Sequence, residues 1–204
     1  MKLPTGIFSI PNMLCYFRIV YIPVMVVLFY LDYIWQAKGI SWPAWTNVAL
    51  YTLAGLSDFL DGRIARATNQ SSIFGKFLDA STDKLLVGVS LLCLVAFHKL
   101  EDLWLIPAIL IYMREILISG VREFMALYNV NIAISWMGKW KLTLQMLFIG
   151  FLIAGDYGPD LVPYAVEIGR YGFLLATFLT LWSGGEYLRE AWKTMQRLEA
   201  EGKI

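Results

Sequence analysis

Four aspartates dominate the chemistry that this sequence could support. Asp58 and Asp61 stand three residues apart, and Asp79 and Asp83 four apart, within the stretch SDFLDGRIARATNQSSIFGKFLDASTDK that runs from Ser57 to Lys84. On a helix, positions three and four apart share a face, so each pair presents two carboxylates together. The polar segment Thr68-Asn69-Gln70-Ser71-Ser72 reads as a turn. Two antiparallel helices joined by it would bring the pairs to one place. A charged group at membrane depth costs about 2.5–3.5 kcal/mol on insertion scales, and the carboxylates also repel one another. Bound cations make such a cluster tolerable. Oxygen ligands with no cysteine or histidine among them suit hard divalent ions, Mg²⁺ or Mn²⁺, and two such ions offset the four negative charges in formal count. Two carboxylate-held metals suit phosphoryl-type transfer, where they neutralise a pyrophosphate and the leaving oxygen. Gly62 and Ala65 lie on the aspartate face and are small, which lets a ligand approach the backbone, and Arg66 is placed to meet a phosphate. The plainer alternative is a set of solvated helix ends paired with Arg63, Arg66, Lys76 and Lys84. That reading accounts for any single aspartate better than for four on two matched faces.

The elements that must position these residues are membrane helices. Of the 204 residues 58% are hydrophobic and 16% charged, whereas soluble domains are about half apolar and a quarter charged. The apolar residues also sit in long blocks, which is the membrane signature. Six spans are predicted, at about Pro11–Leu31, Trp42–Arg66, Asp79–Phe97, Leu103–Tyr128, Trp136–Ala154 and Val162–Trp182. The second, third and fourth continue beyond their apolar blocks into charged turns. The fold class is therefore all-α integral membrane, six transmembrane helices preceded by a short interfacial helix before Pro11, with residues 1–204 forming one domain around a shared core. No cleavable signal peptide is read at the N-terminus. Fourteen of the 17 Lys and Arg residues fall on the side that holds both termini, which places the termini in the cytoplasm. Arg18 is counted there as one of the topology signals. Trp35, Trp42, Trp45, Trp104 and Trp136 fall near span ends, as interfacial tryptophans do. Cys15 and Cys93 read as buried small hydrophobes, and His98 as an interfacial surface residue.

With these residues in view, the chain resembles the CDP-alcohol phosphotransferases. Their signature, D-x2-D-G-x2-A-R-x8-G-x3-D-x3-D, is met by Asp58, Asp61, Gly62, Ala65, Arg66, Gly75, Asp79 and Asp83 with every spacing intact, eight positions over 26 residues. Ile10-Pro11-Asn12 to Pro23, the segment Arg114–Ser119, Val121-Arg122-Glu123 and the segment Trp136–Lys141 are similar to the bacterial members that act on glycerol 3-phosphate. The resemblance covers most of the chain and weakens after about Gly155. It implies a six-span homodimer of the bacterial cytoplasmic membrane, with its site open to the cytoplasmic leaflet. It implies that Asp58, Asp61 and Asp79 are metal ligands and that Asp83 also lies at the two ions, Mg²⁺ or Mn²⁺, as general base. Asp58, Gly62, Ala65, Arg66 and Gly75 would bind the cytidine diphosphate part of the donor. The implied reaction joins CDP-diacylglycerol to the 1-hydroxyl of sn-glycerol 3-phosphate, with CMP as leaving group.

A dianionic acceptor needs fixed positive charge. Arg114 and Arg122 lie eight residues apart in the fourth span, and Lys139 and Lys141 open the fifth, all on the side of the aspartates. We expect these four to clamp the acceptor phosphate, the arginines foremost because they engage phosphate bidentately. Glu115 and Glu123 are expected as their structural partners. Topology signals and head-group contacts are the plain alternative. A relative using inositol phosphate or serine as acceptor is the second enzymatic reading. A cation transporter is a further class, since acidic residues within membranes also mark ion paths. It would distribute acids through the bilayer depth, whereas here they gather at one end of two spans. A non-catalytic membrane scaffold is the third class; it would keep full function in cells after Asp83→Asn.

Overall fold

The computed structural model describes residues 10–68, 73–128, 130, 132 and 136–201, and leaves out the side chains at 10, 11, 59–68, 73, 74, 76 and 136–140. Among the described residues there are six α-helices and no strand. They are α1 (Ile10–Trp35), α2 (Trp42–Thr68), α3 (Ile73–Ala96), α4 (Leu105–Leu127), α5 (Trp136–Ala154) and α6 (Ala165–Ala200), joined by short 3₁₀ turns at Gln36–Lys38, Asp102–Trp104 and Gly155–Asp160. Three stretches, Asn12–Lys38, Asp102–Leu127 and Lys141–Asp160, are long and apolar enough to cross a membrane. The expected interfacial helix before Pro11 lies outside the described residues.

The helices fall close to the expected spans, with two extensions. α3 begins at Ile73, so Asp79 and Asp83 sit well inside a helix rather than at its start. α6 continues through Gly184 and Gly185 into the charged segment as one helix of 36 residues. Nothing in that segment breaks a helix, and the Glu190–Lys193 ion pair at 2.9 Å supports its last turns. α1 passes through Pro23 without interruption, as membrane helices permit when neighbouring groups satisfy the freed carbonyl.

The chain divides into two compact units, and the division falls inside α5 and α6. The first comprises residues 1–101 and 149–169. Within it α1 packs against both α2 and α3. Its buried stripe, Cys15, Arg18, Tyr21, Met25, Leu28, Phe29 and Asp32, recurs every three or four residues, while Val20, Val24, Val27 and Tyr30 are exposed. That is the pattern of a helix in lipid: the apolar face looks outward and the polar groups look in. α2 buries Asn47, Tyr51 and Ala54 along one stripe, and α3 buries Leu86, Ser90 and Leu94. Tyr21 donates to Asn47 Oδ1 at 2.7 Å, tying α1 to α2. At the other end of α1 from Arg18, Lys99 pairs with buried Asp32 at 2.7 Å and donates to the Ile153 carbonyl at 2.9 Å. Gly155, with φ +54, lies close to that ammonium.

The second unit comprises residues 102–148 and 170–204. α4 buries Pro107, Ala108, Ile111, Ile118 and Met125. Gly172 of α6 receives the ring of Phe148 so closely that a Cβ there would clash with it. Gly184, further along α6, receives the side chain of Arg114.

Candidate active site

Asp58 lies on the inward stripe of α2, eleven residues after Asn47 and four after Ala54. Asp79 and Asp83 lead into the stripe of α3 that continues through Leu86 and Ser90. The packing that buries those apolar positions therefore also turns the carboxylates toward α1. Ligand oxygens of Asp58, Asp79 and Asp83 all lie within 4.8 Å of one another, and all three residues are part-buried. The two-helix convergence expected from the sequence is thus seen for three of the four aspartates. Asp61, Gly62, Ala65 and Arg66 lie on α2 with side chains outside the described residues, and Gly75 falls in the first turn of α3.

The neighbour that the spacing argument missed is Arg18. Its side chain is fully buried, against 19%, 45% and 33% exposure for Asp58, Asp79 and Asp83. Nη1 donates to Asp58 Oδ1 at 3.0 Å and also to Asp83 Oδ1, and Nη2 donates to Asp79 Oδ1 at 3.0 Å. Cys15, one turn earlier, is not merely a small hydrophobe. Its sulfur lies 3.6 Å from Arg18 Nη2 and 3.9 Å from Asp79 Oδ1. A signal for Arg18 was present in the sequence: an arginine flanked by Phe17 and Ile19, in register with Cys15, Tyr21 and Met25, points inward. An ionisable residue on the inward stripe of a membrane helix marks a site in its own right.

The donor set suits a hard divalent cation. Three carboxylates that converge within 4.8 Å, with no nitrogen ligand among them, offer the hard oxygen donors that Mg²⁺ and similar ions take. The cluster can therefore hold a divalent cation.

The cationic residues of the second unit form their own arrangement. Glu115 Oε1 accepts from Lys141 Nζ at 2.6 Å and from Arg114 Nη1 at 3.2 Å, so one carboxylate oxygen holds two cations together. Lys141 is buried. Arg114 Nη2 also reaches Ser183 Oγ at 3.4 Å, and the Arg114 stem passes over Gly184. Glu115 is thus the partner expected for Arg114. The Arg122 guanidinium stands 5.9 Å from the centre of the Tyr187 ring and near enough to Arg114 and Lys141 for its charge to act on both. Glu123 accepts from Ser119 at 3.2 Å. The Lys139 side chain lies outside the described residues. Ser183 and Gly184 were not singled out in the sequence; a Ser-Gly-Gly run in an apolar helix was their only mark. His98 is exposed, pairs with Glu101 at 2.9 Å and has no part in either cluster.

A family model described as CDP-alcohol phosphatidyltransferase matches residues 8–182. A protein of Rickettsia typhi named CDP-diacylglycerol–glycerol-3-phosphate 3-phosphatidyltransferase is 37% identical over 181 residues, covering 89% of this chain and 96% of that one. A protein of Salmonella choleraesuis with the same name is 38% identical over 188 residues, covering 90% and 95% of the two chains.

Proposed function

The chain belongs to the CDP-alcohol phosphatidyltransferase family, and from that premise we propose that it transfers the phosphatidyl group of CDP-diacylglycerol to the 1-hydroxyl of sn-glycerol 3-phosphate, yielding phosphatidylglycerophosphate and CMP. The observation that carries this reading is the convergence of Asp58, Asp79 and Asp83 from α2 and α3, in a chain whose relatives bear that activity in their names.

Asp58, Asp61, Asp79 and Asp83 are the residues that would hold two divalent ions, Mg²⁺ or Mn²⁺. When bound, such ions neutralise the pyrophosphate and the charge that grows on the leaving phosphate oxygen. Asp58, Gly62, Ala65, Arg66 and Gly75 hold the cytidine diphosphate part of the donor, the small residues allowing its close approach to α2. Asp83 accepts the proton of the acceptor 1-hydroxyl. The hydroxyl oxygen bonds to the phosphorus that bears diacylglycerol, and the bond from that phosphorus to the CMP oxygen breaks. A base within hydrogen-bond reach of such a proton contributes about 10²–10⁴ in rate. Arg114, Arg122, Lys139 and Lys141 bind the acceptor phosphate. Glu115 keeps Arg114 and Lys141 paired and oriented, since one carboxylate oxygen serves both.

The protein acts as a single catalytic domain, residues 1–204, and as a homodimer in the bacterial cytoplasmic membrane with both termini in the cytoplasm. The bacterial relatives and the side preference of Lys and Arg support that placement.

The test is CMP release from purified protein in liposomes given CDP-diacylglycerol with glycerol 3-phosphate, inositol phosphate or serine. Turnover is expected with glycerol 3-phosphate. Asp83→Asn is expected to lower it about 10²–10⁴-fold while the protein still folds. Phosphatidyl transfer only to a non-phosphorylated alcohol would refute the acceptor assignment, and an unimpaired Asp83→Asn would refute the role of Asp83.

A further inference from the structure

Arg18 comes from α1, while the carboxylates it holds come from α2 and α3, 40 to 65 residues away in the chain. Its contacts to Asp58, Asp79 and Asp83 are each made to an Oδ1 atom. An ionised carboxylate has two oxygens and about four lone-pair directions in all, so one contact to the guanidinium does not exhaust what each aspartate can offer a cation. The guanidinium is planar and rigid, with five donors in a fixed fork. One nitrogen bridges Asp58 and Asp83 across the two helices and the other fixes Asp79, so the relative positions of the three carboxylates follow the fork's own geometry. The base of the fork cannot wander, because the Arg18 side chain is fully buried on the inward stripe of α1.

We propose that Arg18 is a positioning residue for divalent-cation binding: by holding one oxygen of each of Asp58, Asp79 and Asp83 on a rigid fork, it presets the remaining oxygens to converge on a cation. Ligating carboxylates are themselves commonly hydrogen-bonded, and removing such outer partners costs about 10–100-fold in metal affinity. The charge count agrees. One guanidinium against the three carboxylates leaves a formal charge of −2, which one divalent ion balances, and Asp61 would add a further negative charge toward a second ion. The inference rests on the aspartates being cation ligands, as proposed above.

The sign of the effect makes the inference testable. If Arg18 only competed for the carboxylate oxygens, or only added positive charge beside them, removing it would tighten cation binding. Positioning requires the opposite. The measurement is Mn²⁺ binding by electron paramagnetic resonance, with no substrate present, on the full chain in nanodiscs as wild type, Arg18→Lys, Arg18→Gln and Asp79→Asn. Thermal melting of each variant reports folding. Arg18→Lys keeps the charge and loses the planar fork, so it decides the matter if Arg18→Gln does not fold. The expected result is a Mn²⁺ dissociation constant raised about 10–100-fold in both Arg18 variants. The KM for Mn²⁺ should rise in parallel in the transfer assay, with kcat largely recovered at saturating Mn²⁺. Unchanged or tighter binding in a folded Arg18 variant overturns the inference. If the wild type binds no Mn²⁺, or Asp79→Asn binds it as the wild type does, the metal-site reading falls and this inference falls with it. If only Asp79→Asn loses binding, the metal site stands and the role of Arg18 does not.

Discussion

Gly184 offers a way to move Arg114, proposed above to bind the acceptor phosphate, without touching its charge. A Cβ at Gly184 would lie 2.9 Å from Arg114 Nε and 3.1 Å from Arg114 Cγ. Ordinary contacts between such atoms are about 3.5–4.0 Å, so in Gly184→Ala the Arg114 stem must give by about half an ångström. The guanidinium has little slack to absorb this, because its bonds to Glu115 and Ser183 are already long at 3.2 and 3.4 Å. A shift of that size breaks the Ser183 contact and turns the fork. Hydrogen bonds to charged groups are worth about 1.5–3 kcal/mol, and partial loss of one to the acceptor phosphate corresponds to a KM for glycerol 3-phosphate raised about tenfold. The kcat should stay within about threefold, since Arg114 does not touch the proton being transferred. Stability should fall by at most about 2 kcal/mol. Replacing a helix glycine by alanine gains about 1 kcal/mol, against about 1–3 kcal/mol for the added bulk. Gly185→Ala is the matched control, because a Cβ there meets nothing within 4 Å. It should melt slightly higher with an unchanged KM. The assay is steady-state CMP release with glycerol 3-phosphate varied at saturating CDP-diacylglycerol. If Gly184→Ala and Gly185→Ala give the same KM as the wild type, Arg114 does not bind the acceptor phosphate.

Two further perturbations probe the buried charges. Glu115→Gln removes the negative charge on which Arg114 and Lys141 both rest, so it should cost about 2–3 kcal/mol of stability. Inorganic phosphate should then raise the melting temperature more in the variant than in the wild type, because an anion replaces the lost counter-charge; equal shifts would argue against a phosphate site there. Lys99→Met strands Asp32, whose side chain is only 4% exposed, and breaking a buried pair costs about 3–5 kcal/mol. Melting in detergent should show that loss, and Asp32→Asn added to Lys99→Met should recover most of it, whereas two independent losses that simply add would mean the pair is not coupled.

The helices were legible because lipid forces the matter: long apolar blocks that cannot leave backbone groups unpaired must be helical. α5 runs from Trp136 to Ala154, the bounds its apolar block predicts. The ends were less legible where helix and hydrocarbon do not coincide. The first turns of α3 are interrupted by Gly75 and Lys76 and run into Asp79 and Asp83, and the last five turns or so of α6 are polar; a hydropathy reading stops where continuous apolarity stops, although hydrogen bonding carries the helix on. The aspartate convergence was legible from spacing alone, since a face shared at three and four residues is a property of every α-helix. What spacing could not give was the third helix. Nothing local to the motif says that α1 packs on both α2 and α3, so the guanidinium among the carboxylates emerges only from the tertiary packing.

Arg18 and Lys99 show why charge in such a chain has to be read twice. In a topology tally each lysine or arginine is a vote for one side of the membrane, and these two vote for opposite sides. Both are in fact neutralised by aspartates, Arg18 by Asp58, Asp79 and Asp83 and Lys99 by Asp32. Removing them takes the tally from 14 against 3 to 13 against 2, so the orientation argument survives. The two pairs lie 14 residues apart along α1, between Arg18 and Asp32, or about 21 Å at 1.5 Å per residue. One helix thus carries a buried ion-pair cluster near each end of its membrane-crossing length. The lysine end has a single acid matched to a single base, as a structural pair needs. The arginine end has three acids to one base, a surplus of negative charge that a bound cation would offset, where the lysine end is already balanced.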